Sequence, residues 1–214
     1  MAKGGSGPDN AKRIQLLLLV SGLAYLVWSG IGPRDFVTWI EEVAPAVIGG
    51  AILVATYRRF RFSTLTYCFV WLFSLILMTG GHWTYARVPL GFWISDLLDL
   101  QRNHFDRLGH FFQGVIPALL GRELLLRTSD LKRGKWLAFI LICISLAISA
   151  TYELIEWAVA AAQGASAEAF LGTQGDQWDA QKDMLMATCG AVFVVLVLAR
   201  LQDKSMRKIP GMTT

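Results

Sequence analysis

Six stretches of this chain are each apolar over roughly the 20 residues a helix needs to cross the hydrocarbon core of a bilayer. They fall at about 14–31, 38–57, 62–80, 105–127, 136–160 and 181–200. No other feature restricts the fold as much. Inside lipid every backbone N–H and C=O must be satisfied internally, and an apolar run of that length does so as a helix. The runs use most of the 214 residues, 54% of which are hydrophobic and only 17% charged. The expected fold is therefore all-α, a polytopic membrane bundle of about six transmembrane helices. Residues 13–203 make up this one domain, with 1–12 a disordered N-terminus and 204–214 a tail. The first run follows Lys12 and Arg13 but is longer than a secretory h-region and has no A-x-A-like cleavage site after it, so it reads as a retained anchor. Cys68, Cys143 and Cys189 lie inside apolar runs without CxxC spacing and read as small core residues, not as a disulfide or metal site.

Charge sets the orientation. With the N-terminus cytoplasmic, 15 of the 20 basic residues fall on the inner side, leaving Arg34, Arg87, Arg102, Arg107 and Lys182 outside. This is the positive-inside pattern with both termini in the cytoplasm, residues 81–104 and 161–179 outside, and a lipid bilayer as the partner. It also accounts for the basic balance without nucleic acid. The acids run the other way: Asp9, Glu123, Asp130 and Asp203 are inner, and the remaining 12 of 16 are outer. Insertion does not require that excess, since Asp and Glu contribute little to orientation.

Three helix ends carry polar groups to the same outer depth. At about 100° per residue, Asp106, His110, Gln113, Gly114, Pro117 and Gly121 share one face of the fourth run, with Pro117 a point for a kink. Ser145, Ser149, Tyr152, Glu153 and Glu156 share a face of the fifth; Asp176, Asp179, Asp183, Met186, Ala187 and Gly190 share one of the sixth. Asp179 is placed to cap that last helix, with Asp183 a turn deeper. His82 sits at the outer exit of the third run, while Asp96 and Asp99 read as a solvated amphipathic turn. Charge inside a membrane helix costs at least about 2.5–3.5 kcal/mol at the centre and less near the interface, so such clusters mark functional sites by default. The structural alternative is that Arg102, Arg107 and Lys182 pair with these acids. Glu123 projects from the opposite, inner part of run four, toward a neighbouring arginine.

The segments FDRLGHFFQG, YELIEW and GTQGDQWDAQKD, in that order, resemble the YjdF-like family of bacterial inner-membrane proteins over residues 10 to 205. More distantly, Asp106 with His110, then Glu153, then Asp183 with Gly190 resemble the VanZ-like membrane proteins. That pattern carries glutamine where this chain has Glu156 and asparagine where it has Ala187. The resemblance implies an envelope-related role linked to glycopeptide tolerance, and no particular reaction.

Three functions fit these residues. In the first, the protein is a hydrolase or transferase working on an envelope lipid or glycan, with His82, Asp106, His110 and Asp183 as ligands for Zn, Mn or Fe and Glu153, Glu156 and Asp179 as acid–base groups. A metal held there would acidify a water for use as nucleophile. In the second, the same groups relay protons or hold a cation for a transporter. In the third, they are an ionic network that sets helix register.

Overall fold

The computed structural model describes residues 8–163 and 174–209, and every regular element among them is helical. In chain order these are α1 (Pro8–Ser29), α2 (Phe36–Thr56), α3 (Thr64–Trp83), a 3₁₀ turn (Tyr85–Arg87), α4 (Pro89–Leu98), α5 (Phe105–Thr128) and α6 (Lys135–Gln163). The last rod is α7 (Asp179–Phe193), which passes through a π-helical turn (Val194–Leu198) into α8 (Ala199–Met206). Among the described residues, α1, α2, α3, α6 and the α7–α8 rod are long and apolar enough to cross a membrane. The remaining expected span, α5, has 24 residues, which at 1.5 Å each gives about 36 Å. It carries too much charge to qualify by apolarity, and its position explains why: α3, α6 and α7 all pack against it, so it forms the axis of the bundle.

Local chemistry sets the helix ends. Asp35 starts α2 by accepting the Thr38 N–H at 2.7 Å, and that bond holds its carboxyl below the usual range. Ser63 caps α3 in the same way through Thr66. Three boundaries differ from those expected. Helix α1 already begins at Pro8, so residues 8–12 are helical and not disordered; residues 1–7 lie outside the described residues. The last helix runs on to Met206, past the expected end at 203. The segment holding Asp96 is a helix and not a solvated turn: Pro89 supplies its first position, and Asp99, left-handed at φ 52°, ends it. Trp93 and Leu97 on α4 are 71% and 82% exposed, an apolar stripe suited to lying in the membrane interface. Of the outer segment 161–179, residues 164–173 lie outside the described residues.

The closest crossing in the bundle is between α5 and α7. A Cβ added at Gly114 would collide with the carbonyl of Ala187, and one at Gly190 with the carbonyl of Phe111, so two glycines let the backbones touch from both sides. Ser145 of α6 donates to the Gly114 carbonyl at 3.0 Å. Below this crossing Val115, Ala118, Leu119, Leu141, Ala191 and Val194 are all within 1% of full burial and form a dry inner half. Glu123 sits deeper still and is completely buried. It accepts from Ser63 N at 2.9 Å, from the Ser63 and Thr66 hydroxyls at 2.5 Å each and from Gln202 at 3.2 Å, with Arg127 at 3.6 Å as the expected arginine partner. Arg122 and Arg133 both bind Asp203, which ties the inner ends of α5, α6 and α8 together. The cysteines are free; Cys143 and Cys189 are exposed on the bundle surface and only Cys68 is half-buried, so two of the three are not core residues.

Orientation is checked by labelling a cysteine-free background from outside intact cells with an impermeant thiol reagent. Asp96 and Asp130 are both exposed. A cysteine at 96 is expected to react and one at 130 to be protected; the reverse result overturns the N-in, C-in arrangement.

Candidate functional site

The outer end of α5 is held in place before any functional group is considered. Asn103 accepts the Phe105 N–H at 3.0 Å and donates to the Val88 carbonyl at 2.9 Å, which fixes where the helix starts. Arg102 binds Asp179 at 2.8 Å and Asp176 at 3.4 Å; Arg107 binds Asp179 at 2.5 Å, Asp176 at 3.3 Å and also Asp183. Lys182 completes the set at 2.6 Å from Asp176. Hydrogen bonds from Lys182 and the Trp178 N–H keep the Asp176 carboxyl below its usual range. Burial first, and then Arg102 and Arg107, push the His104 imidazole down, which leaves it a neutral neighbour of this latch. The latch docks the head of α7 onto α5 and so delivers Asp183 to the interior.

His110 lies one turn in from Asp106 and is 6% exposed. Its Nε2 is 3.5 Å from Asp106 Oδ1 and 3.8 Å from Asp183 Oδ1, while its Nδ1 is 3.1 Å from Gln113 Oε1 and 3.6 Å from Glu153 Oε1. A carboxamide oxygen beside Nδ1 accepts from an Nδ1–H, and that tautomer turns the Nε2 lone pair toward the two aspartates. Ligand atoms of Asp106, His110 and Asp183 all fall within 4.8 Å of one another. Two donors at about 2.1 Å from one tetrahedral ion stand about 3.4 Å apart, so the two Nε2–carboxylate separations nearly match a shared ion. Oε1 of Glu153 is buried and has no hydrogen-bond partner among the described residues.

His110 and Asp106 border a cavity of about 180 Å³. Its walls are Glu42 and Pro45 of α2, Leu77 of α3, Tyr85 of the 3₁₀ turn, Gly109 and Gln113 of α5, and Tyr152 and Glu156 of α6. Thr84, also on the wall, adopts φ 60°, a region that costs a β-branched residue about 1–3 kcal/mol and is kept where a site over-determines it. It turns the chain so that the Tyr85 ring fills the space beside Gly80. A second hollow, nearer the outer surface, is lined by Glu153, Glu156, Asp176 and Asp179, so Glu156 borders both.

The structure brings together Asp106, His110, Asp183 and Glu153, with Glu156 on the cavity wall. Asp106 and Glu153 do not face each other directly as the helix projection suggests; they flank opposite edges of the His110 ring, and neither turns to lipid. His82 stands apart from this group. Its Nδ1 is 2.9 Å from the Ser29 carbonyl, and its ring stacks on Trp28 with centroids 4.8 Å apart, because the end of α3 folds back onto α1. Asp179 is the first helical residue of α7 and not its cap, which is Trp178, and its carboxylate is taken up by two arginines. Glu42 is the residue that sequence reasoning missed. It lies in an apolar run on α2 and has no motif of its own, and only the fold shows that it faces the same cavity as Asp106. The signal was there in the paired acids Glu41 and Glu42 within a membrane-crossing run.

The family model for a predicted membrane protein, DUF2238, matches residues 14–204. Inner membrane protein YjdF of Escherichia coli (strain K12) is 49% identical over 183 residues, which is 86% of this chain and 88% of that protein. No solved structure matches the chain.

Proposed function

This chain belongs to the DUF2238 family of predicted membrane proteins, is a multi-pass protein of the inner membrane, and on that premise we propose that it is a metal-dependent hydrolase or transferase acting on an envelope substrate. Asp106, His110 and Asp183 hold the divalent cation, and Glu153 serves as the base. The observation that carries this reading is the convergence of three ligand atoms within 4.8 Å, on a histidine whose other nitrogen is already engaged by Gln113. Zn, Mn or Fe suits a mixed imidazole and carboxylate set. Such an ion supplies Lewis acidity toward a carbonyl or phosphoryl oxygen. The protein's own part is to orient the ligands: Arg107 fixes Asp183, Gln113 fixes the imidazole, and Glu153 keeps one oxygen without a donor and so available to take a proton.

A transport reading has less support. A pathway needs polar groups through the inner half, and that half is filled by the buried apolar cluster around Val115, Leu119 and Val194.

The test is metal content of the protein purified without chelator. About one transition metal per chain is expected, falling to background in His110→Gln and Asp183→Asn. Metal-free protein whose melting temperature does not move when Zn, Mn or Fe is added would defeat the reading.

A further inference from the structure

The cavity beside His110 has two features that the metal site does not use. The first is Glu42. It is 7% exposed, lines the cavity, and has no hydrogen-bond or ion-pair partner among the described residues. Glu156 lies on another wall of the same space and likewise has no such partner among the described residues. A carboxylate taken out of water is expensive unless it is paired or protonated, so the buried Glu42 and the half-buried Glu156, both on one hollow, favour a positive group between them. Among the described residues the one basic side chain on the lining is His110, which Asp106, Asp183 and Glu153 already surround. The lining contains no lysine or arginine, and Arg102, Arg107 and Lys182 are committed to Asp176, Asp179 and Asp183.

The second feature is where the cavity meets the surface. Pro45 of α2 and Ile148 of α6 both line it and are both exposed, Ile148 by 44%. Helix α2 packs on α3, and α6 packs on α5 and α7, so the hollow lies between two separately supported walls. Both residues belong to membrane-crossing helices, and the exposed surface there faces acyl chains. The doorway is thus apolar while the interior is acidic.

We propose that this cavity binds an amine-bearing lipid, with Glu42 and Glu156 holding the ammonium of its headgroup and its acyl chains leaving between Pro45 and Ile148 into the outer leaflet. The assignment deepens the reading of the site as a metal-dependent enzyme by naming its substrate class, and it rests on that reading for what is done to the lipid. A soluble amine satisfies the carboxylates but leaves the apolar doorway unexplained. An anionic lipid fits the doorway and is repelled by the interior.

The experiment is native mass spectrometry of the purified protein equilibrated with equal amounts of phosphatidylethanolamine and phosphatidylglycerol. The ratio of the two bound lipids is compared between wild type, Glu42→Gln, and Glu42→Gln combined with Glu156→Gln. Loss of the whole charge contact to the ammonium, worth about a factor of ten in affinity with both carboxylates gone, is expected to lower that ratio about tenfold in the double variant. The single variant, which is the milder change, is expected to fall in between. Ile148→Trp, which narrows the doorway, is expected to lower phosphatidylethanolamine occupancy while leaving bound metal unchanged. A ratio that stays the same across wild type and both glutamine variants overturns the proposal, as does displacement of the lipid by free ethanolamine at equal concentration. Metal content is read on the same samples, which separates the two failures. Lipid selectivity without metal removes the enzyme reading and keeps the lipid site, and metal without selectivity does the opposite.

Discussion

Gly114→Ala is expected to be the most damaging single-methyl change in the protein. Its new Cβ runs into the backbone carbonyl of Ala187, and a backbone atom cannot rotate away as a side-chain tip can. Ordinary overpacking costs about 1–3 kcal/mol; here α5 and α7 must part along their closest contact, so the loss belongs at or above the top of that range. The same separation carries Asp183 away from Asp106 and His110, so metal binding should disappear along with stability. Gly121→Ala on the same helix is the control. A Cβ there meets only Leu141 Cδ2 at 3.3 Å, an end group that can shift. Thermal melting in detergent with metal content on the same samples checks this: a Gly114→Ala protein that melts with wild type and keeps its metal would mean that the helices do not cross at these glycines.

The second large effect separates site from scaffold. Asp179 holds Arg102 and Arg107 in a setting where all three side chains are at most 12% exposed. Asp179→Asn leaves both cations with weaker partners and should cost roughly 3 kcal/mol, the lower end for breaking a buried pair because Asp176 and Asp183 remain. Asp106→Asn and Glu153→Gln should behave in the opposite way. Asp106, Glu153 and Asp183 crowd one imidazole within 3.8 Å, and neutralising one of them relieves repulsion, so with metal stripped from every protein these variants should melt at or above wild type, Asp106→Asn failing to take metal back and Glu153→Gln still binding it. If Asp106→Asn is as unstable as Asp179→Asn and retains its metal, the polar cluster is a structural network.

The helices were legible because membrane insertion imposes a length and an apolarity that can be read residue by residue. The pairing of Asp106 with His110 was legible for a related reason, since residues four apart share a helix face wherever the helix is placed. Gly114 and Gly190 were visible as small residues on the right faces. What could not be read locally was which helix each face meets. His82 was assigned to the cluster by depth alone, yet depth does not fix azimuth, and the fold turns it onto α1. Asp179 reads as a cap and an acid–base group only until Arg102 and Arg107, 77 and 72 residues away, are brought to it. Glu42 stayed hidden for the converse reason: nothing near it in the chain marks it, and its neighbours in the cavity come from α3, α5 and α6.

The dry inner half has a consequence for how the protein meets an energised membrane. A transmembrane voltage falls mainly across the layer that excludes water and ions, and here that layer lies between the cavity floor at Ile116 and Pro117 and the inner network of Glu123. A charge taken the whole way across would exchange about 2.3 kcal/mol with each 100 mV. A cation or ammonium entering from the outer side stops above the insulating layer and crosses only a small fraction of that drop. Occupancy of the proposed site is therefore expected to follow the chemistry of the outer leaflet and to be largely decoupled from the cell's electrical state.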